Sequence, residues 1–310
     1  MAGTVTNVGS EALLRHFAEI RPEQAVGGNA PILLDNQEDI WIVTSGKIEV
    51  FVVSLANGQP TGARRHCLTA VVGDALFGMP ATQSDEALGL LAVGAVGTSL
   101  IRLNPGELQS AAAEESLQPG VIEIVTRWIT GLSRDVWKPS RPMPRTEIQL
   151  SPNSPAHLKD GERGRAQKGV VWIAHEGGTS LFLGLEAIAG SGSTALFPLT
   201  QDTFLEAVGD VSLTIIDTEE AFSRRVGWES LARFHSTFLD CQDFNIKLGK
   251  ADELHRLQSK KFSDRRNLND AFGLLARVFT RKQEQPALAD DGAATVAAAT
   301  LIGRHLGLTI

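Results

Sequence analysis

A carboxylate can hold a sugar diol, and a guanidinium fork can hold phosphate oxygens. Residues 73 to 80, GDALFGMP, raise that chemistry. Gly73 and Asp74 open the stretch, Phe77, Gly78 and Met79 close it, and the chain turns at Pro80. Asp74 is its one carboxylate. The residues that follow, PATQSDEALGLL, contain no arginine, and Asp85 and Glu86 add negative charge. Arg64, Arg65 and His66 form a second candidate, following the Gln59-Pro60-Thr61-Gly62 turn. Two adjacent guanidinium groups can take an anion or an acidic peptide segment. The plainer reading, which we prefer, is the solvated face of a hairpin.

Other combinations carry less. His66-Cys67 and His235 with Cys241 contain metal-ligating types, but no HxH or CxxC spacing joins them. No metal and no cofactor is expected. Cys241 lies at helical spacing among apolar residues, which makes it a core residue rather than a nucleophile. His175-Glu176 reads as an exposed pair at a turn. AGSGST, residues 189 to 194, has glycines without the lysine of a phosphate-binding P-loop, and GxxxxGK[ST] is absent from the sequence. No catalytic residue is assigned, and no enzyme is expected.

These residues belong to a chain of 310 residues, long enough for two or more domains. Its net charge of -7 gives no general case for nucleic acid. Two distant cysteines, Cys67 and Cys241, fit a reducing cytosol rather than a disulfide scaffold. MAGTVTNVGSEALL lacks the pattern of a signal peptide. No apolar run reaches the roughly 20 residues of a membrane-spanning helix, so a soluble chain is expected. LIGRHLGLTI ends on an apolar run, which suits either a cut inside a longer protein or a C-terminal helix and strand docked on the core.

A repeat organises the chain. DIWIVTSGKIEVFVV (39 to 53) matches GVVWIAHEGGTSLFLG (169 to 184), with Trp41-Ile42 on Trp172-Ile173, Gly46 on Gly177 and Phe51 on Phe182. Ala75-Leu76-Phe77 matches Ala195-Leu196-Phe197, and AVGAVGTSLIRL matches AVGDVSLTIID. Both copies are short apolar runs broken by glycine turns, which read as strands. Asn57-Gly58 between two such runs predicts a hairpin. The expected fold class is α+β: two tandem double-stranded β-helix (jelly-roll) domains with connecting helices and a C-terminal helical hairpin. The boundaries are a helical segment at 1–30, a first roll at 31–104, connecting helices at 105–137 and a Pro/Gly-rich linker at 138–167. A second roll at 168–222, a helical hairpin at 223–283 and a small terminal helix at 284–310 complete the chain. Within the linker, TEIQL reads as an opening strand of the second roll. GSEALLRHFAEI carries a Ser10 cap and apolar Leu13, Leu14, Phe17 and Ile20. Val121, Ile124, Val125, Trp128, Ile129 and Leu132 form another helical stripe. Trp228, Leu231, Phe234, Phe238 and Cys241 begin a long one, and Ser263-Asp264 would cap its return helix.

A β-roll flanked by such helices resembles the cyclic-nucleotide-binding domain, through VTSGKIEVFVV, GDALFGMP and AVGAVGTSLIRL. The resemblance implies a ligand loop at Gly73, Asp74, Phe77, Gly78 and Met79. In that family an acid holding the ribose hydroxyls follows the Phe-Gly, and an Arg-Ala pair after it grips the phosphate. Here Met79 replaces the acid, no arginine follows, and one residue too many separates Asp74 from Phe77. The loop is degenerate, which speaks against cyclic-nucleotide binding of the usual kind. The order of segments, with WIVTSGKIEVF, GDALFG and the Gly-Val-Val-Trp of the second copy, is also similar to one exporter family. It resembles the N-terminal cytosolic region of the permease/ATPase subunit of NHLM (NHLP) bacteriocin export systems. The family's membrane helices and ATPase domain are missing from this sequence.

The resemblance implies a regulatory or interaction module at the cytosolic face of the inner membrane. Its expected partners are a peptide cargo or leader peptide, or other transporter subunits, and no nucleic acid. The alternatives are a small-ligand sensor and a structural module that forms a homo-oligomer through residues 223–283. The helical stretch from Arg224 to Lys282 holds thirteen Lys/Arg and seven Asp/Glu, so 13 − 7 gives +6. Lys260-Lys261 and Arg265-Arg266 within it would suit anionic lipid or a partner subunit.

Overall fold

KIEVFVVSLA alternates in character, and a strand is the conformation that sends alternate side chains to opposite faces. The computed structural model describes residues 8–27, 30–82, 87–136, 144–189, 195–223 and 226–261. It is a mixed α+β fold with antiparallel sheets. Eight strands come first: β1 (Glu23–Val26), β2 (Ile32–Leu33), β3 (Ile40–Ser45), β4 (Lys47–Ala56), β5 (Gln59–Val71), β6 (Ala75–Phe77), β7 (Ala87–Gly94) and β8 (Thr98–Leu103). They form two four-stranded sheets, ordered β1-β8-β3-β6 and β2-β7-β4-β5. This is the order of a jelly roll, in which the strands pair across a Greek key, with β4–β5 the hairpin at its end. Ile48, Val50 and Val52 of β4 are buried between neighbours. The β4–β5 hairpin turns on Asn57 and Gly58, both at positive φ, as their types predict.

The second β region contains β9 (Ile148–Leu150), β10 (Ala156–Leu158), β11 (Arg163–Ala166), β12 (Val170–Phe182), β13 (Glu186–Ala189), β14 (Leu196–Thr200) and β15 (Leu205–Ile216). Its pairing scheme repeats that of the roll. The first half of β12 pairs with β14 and the end of β15, as β3 pairs with β6 and β8. The second half of β12 pairs with β13 and the start of β15, as β4 pairs with β5 and β7. β10 and β11 lie against β15 as β1 and β2 lie against β8 and β7. Thus β12 and β15 are each a fused pair of the first roll's strands. β9 is an addition, parallel to β11. TEIQL does form β9, but β10 and β11 also fall within residues read as linker. Pro152 and Pro155 lie between β9 and β10, where they cost no ladder hydrogen bond.

Register corrects two of the matches. Phe51 lies opposite Leu91 and Phe182 opposite Leu205, but Phe51 is half-buried against His66 while Phe182 is fully buried against Phe197 and Phe234. Leu76 lies opposite Trp41, whereas Pro198 lies opposite Trp172. The Ala-Leu-Phe match is therefore two residues out of register. A shift of two keeps the same face of a strand, which is why Phe77 and Phe197 still serve alike. The glycine match is out by one. Gly46 has φ +74 and presses on Thr98, and in the second region Gly178 (φ +83), not Gly177, presses on Asp210 and Val211.

Five helices are described: α1 (Val8–Ile20), α2 (Pro105–Ala112), α3 (Gln118–Val136), α4 (Thr218–Ser223) and α5 (Val226–Lys261). Ser10 is not the cap of α1. It lies buried inside the helix, and Ile20 at the far end is 57% exposed. α2 begins on Asn104, whose side chain accepts from Glu107 N–H while Glu107 accepts from Asn104 N–H. This reciprocal cap fixes where strand β8 becomes helix. Asn104→Ala should cost about 1 kcal/mol in urea unfolding.

The chain divides into two units, residues 1–241 and 242–310. In the first unit the predicted α3 stripe is buried throughout, and α3 packs on β5 and β6 of the first roll and on β12 and β14 of the second region. In the second unit the described part is the continuation of α5 to Lys261. The return helix, its Ser263-Asp264 cap, Arg265-Arg266 and the terminal helix lie outside the described residues. So does the 190–194 part of AGSGST. Among the described residues no helix is long and apolar enough to cross a membrane.

Candidate functional site

A loop cradles an anion by pointing unpaired backbone N–H groups at it. Around GDALFGMP those groups are used within the fold. Gly73 N–H donates to Val43 O, and Asp74 N–H donates to Val71 O, both at 2.9 Å. Gly78 N–H donates to Asp39 O and Met79 N–H to Leu34 O, again at 2.9 Å. The segment is tied to β3, to the end of β5 and to the loop between β2 and β3. Its residues from Ala75 to Met79 are all buried, and Met79 is 0% exposed. An acid at that position would be desolvated instead of meeting a ribose.

The one carboxylate is also engaged. Asp74 Oδ2 accepts from Val71 N–H at 2.8 Å, which closes its own turn. Asp74 Oδ1 accepts from Arg127 Nη1 of α3 at 3.0 Å. Arg127 in turn pairs with Glu123 one helical turn earlier. So the guanidinium that the downstream sequence lacks is present in the structure, but it arrives from α3 and neutralises Asp74. The neighbouring residue, Trp128, packs on Phe77 with ring centroids 5.7 Å apart. Arg127 and Trp128 together fasten the stretch to α3. Sequence reasoning found Trp128 as a core residue and missed Arg127, because nothing local marks a partner 53 residues away. Asp85 and Glu86 lie outside the described residues.

Arg64 and Arg65 lie on β5, the edge of its sheet. Between Thr61 and Arg65 the pairing with β4 is irregular, so Arg64 sits in a bulge and is exposed, while Arg65 is half-buried. Bulges and charge blunt an edge strand. The two arginines do not come near GDALFGMP through any hydrogen bond or ion pair among the described residues. His66 makes a different cluster. Its Nε2 lies 2.8 Å from Glu49 Oε2, and Thr69 donates to the same oxygen at 2.6 Å. Thr69's hydroxyl holds the Glu49 carboxyl down at about 2, against the opposing effect of burial, with Lys47 and His66 adding to it.

His175 and His235 proved to be interior groups. His175 is not exposed at a turn. It lies within β12 at 6% exposure, with Nε2 2.8 Å from Ser180 Oγ, and only Glu176 beside it faces solvent. Burial, with the charge of Arg233 nearby, lowers the His175 pKa to about 4. His235 on α5 accepts from Trp128 Nε1 at 2.8 Å, and burial lowers its pKa to about 3. Cys241 is buried, as its spacing predicts.

No protein-family model matches the sequence. No curated protein matches it either. Among solved structures, part of the chain is similar to oxidized CprK in complex with o-chlorophenolacetic acid, at 13% identity and a TM-score of 0.31. That match covers 42% of this chain and 53% of the CprK chain, so the chain spans about half the length of this relative. A CooA mutant from Carboxydothermus hydrogenoformans is similar at 12% identity and a TM-score of 0.29, covering 43% of this chain and 85% of that one. The reduced CO-sensing protein from R. rubrum is similar at 15% identity and a TM-score of 0.28, covering 39% and 53%.

Proposed function

We propose that the chain is a non-catalytic regulatory or interaction module built from two tandem, degenerate cyclic-nucleotide-binding-like rolls. It works through binding alone, and not through the loop that gives such domains their nucleotide. The observation that carries this reading is the use of GDALFGMP as a structural joint. The N–H groups of Gly73, Asp74, Gly78 and Met79 are taken, Asp74 is paired with Arg127, and Met79 is buried. Titration of the chain with cyclic AMP or cyclic GMP should leave its melting temperature unchanged at millimolar ligand. A micromolar site would stabilise the fold by about 3 kcal/mol at a hundredfold excess over Kd, a shift of several degrees, and would overturn the proposal.

The resemblance to NHLM exporters supports a setting for this module at the cytosolic face of a bacterial exporter. There it would bind a leader or cargo peptide, or a partner subunit. Fluorescence anisotropy with a labelled leader peptide tests the peptide half of that setting. Saturable binding below about 100 μM is expected, a range common for transient recognition. Signal that stays flat up to that concentration sinks it.

A sensor of another small molecule is the second reading. It is favoured by the polar pair His175–Ser180 buried in the second region, which apolar packing alone does not require. A compound that stabilises the wild-type chain but not His175→Phe would establish this reading over the first.

A further inference from the structure

Phe77 and Phe197 lie on corresponding faces of β6 and β14, one in each β region. A run of rings connects them. Phe77 packs on Trp128 at 5.7 Å and on His235 at 6.4 Å between centroids. Trp128 donates its indole N–H to His235, joining α3 to α5 inside the core. The residue before His235 continues the run on the other side. Phe234 packs on Phe197 at 5.9 Å and on Phe182 at 6.4 Å, and Phe182 and Phe197 pack on each other at 5.0 Å. Phe234 and His235 are therefore one dipeptide with a side chain in each roll.

We infer that this dipeptide couples the two rolls, so that a change at the GDALFGMP joint of the first is transmitted to β14 of the second. Three features support it. The Trp128–His235 hydrogen bond is directional and buried, so neither ring can shift without leaving a polar group unpaired. Phe182, Phe197 and Phe234 are all under 2% exposed, and packed interiors have no slack to absorb a displaced ring. Both β regions fall in one compact unit, residues 1–241. The coupling does not depend on what either roll binds, so it stands or falls apart from the proposed function. Its consequence is that a ligand on one roll can be read out on the other through α3 and α5.

Native-state hydrogen exchange on the full chain tests it. In the wild type, the amides of β6 and β14 should gain exchange along one shared curve as denaturant is added, because they open as one cooperative unit. Phe234→Leu, which touches the second roll, should also speed exchange in β6 by about tenfold. Separate denaturant curves for β6 and β14 in the wild type would overturn the inference. So would a Phe234→Leu effect confined to β12 and β14, with β6 unchanged within about twofold, the limit expected of independent sites. If Phe234→Leu does not fold, the wild-type curves decide alone.

Discussion

Gly78→Ala should abolish the first roll. A Cβ built on Gly78 would fall inside the carbonyl oxygen of Asn36, with Asp39 O 3.1 Å away. Both are backbone atoms of the segment between β2 and β3, so no side-chain rotation can relieve the clash. That segment also receives the Gly78 N–H at Asp39 and, next to it, the Met79 N–H at Leu34. Moving it aside would break the hydrogen bonds that tie β6 into the roll. Overpacking in a core costs about 1–3 kcal/mol when neighbours can adjust, and more when backbone must move. Against a total stability of about 5–15 kcal/mol, a loss of 3 kcal/mol or more is enough to unfold a marginal domain. Gly27→Ala is the control, because a Cβ there meets nothing within 4 Å. Urea unfolding followed by circular dichroism compares the two. If Gly78→Ala unfolds at the same urea concentration as Gly27→Ala, the close approach at Asn36 does not exist in solution.

Acid should destabilise the fold steeply between pH 6.5 and about 4. His235 and His175 have pKa values lowered by burial to about 3 and about 4, from an ordinary 6.5. The unfolded chain therefore binds more protons than the folded one below pH 6.5. Stability contributed by the neutral rings is fully present above that pH and is lost as the pH falls toward the folded values. Each histidine contributes a slope of up to about 1.4 kcal/mol per pH unit in this window. Protonation would also cancel the acceptor that Trp128 Nε1 needs, since an imidazolium has only donors. His235→Gln keeps an acceptor without a titration near neutrality. The slope of stability against pH, measured by urea unfolding between pH 7 and 4.5, should fall to about half in this variant. An unchanged slope would mean that His235 is not the buried neutral ring described here.

Much of the strand pattern was legible locally. Alternation in KIEVFVVSLA and the Asn57-Gly58 pair are short-range signals, and they placed β4, β5 and their turn. The α3 stripe from Val121 to Leu132 was legible because its 3.6-residue period is local too. Less visible were β10 and β11. They are only three and four residues long, among prolines and charges, and they exist because β15 offers them a partner. The same limit explains the register errors. Matching Ala-Leu-Phe to Ala-Leu-Phe compares letters, while register is set by which residue across the ladder each one faces.

The sequence by itself determined that the chain is α+β, that its β-rich stretches repeat, and that GDALFGMP carries Met79 and is followed by a segment without arginine. Each of these depends on residues near one another in the chain. Tertiary structure alone decided what the stretch does instead. Arg127 reaches Asp74 across 53 residues, and Trp128 reaches His235 across 107. Neither partner carries a local mark, because an ion pair or a buried hydrogen bond is selected by proximity in the folded core, not by spacing along the chain. Those contacts make GDALFGMP the joint between the first roll and the helices behind it.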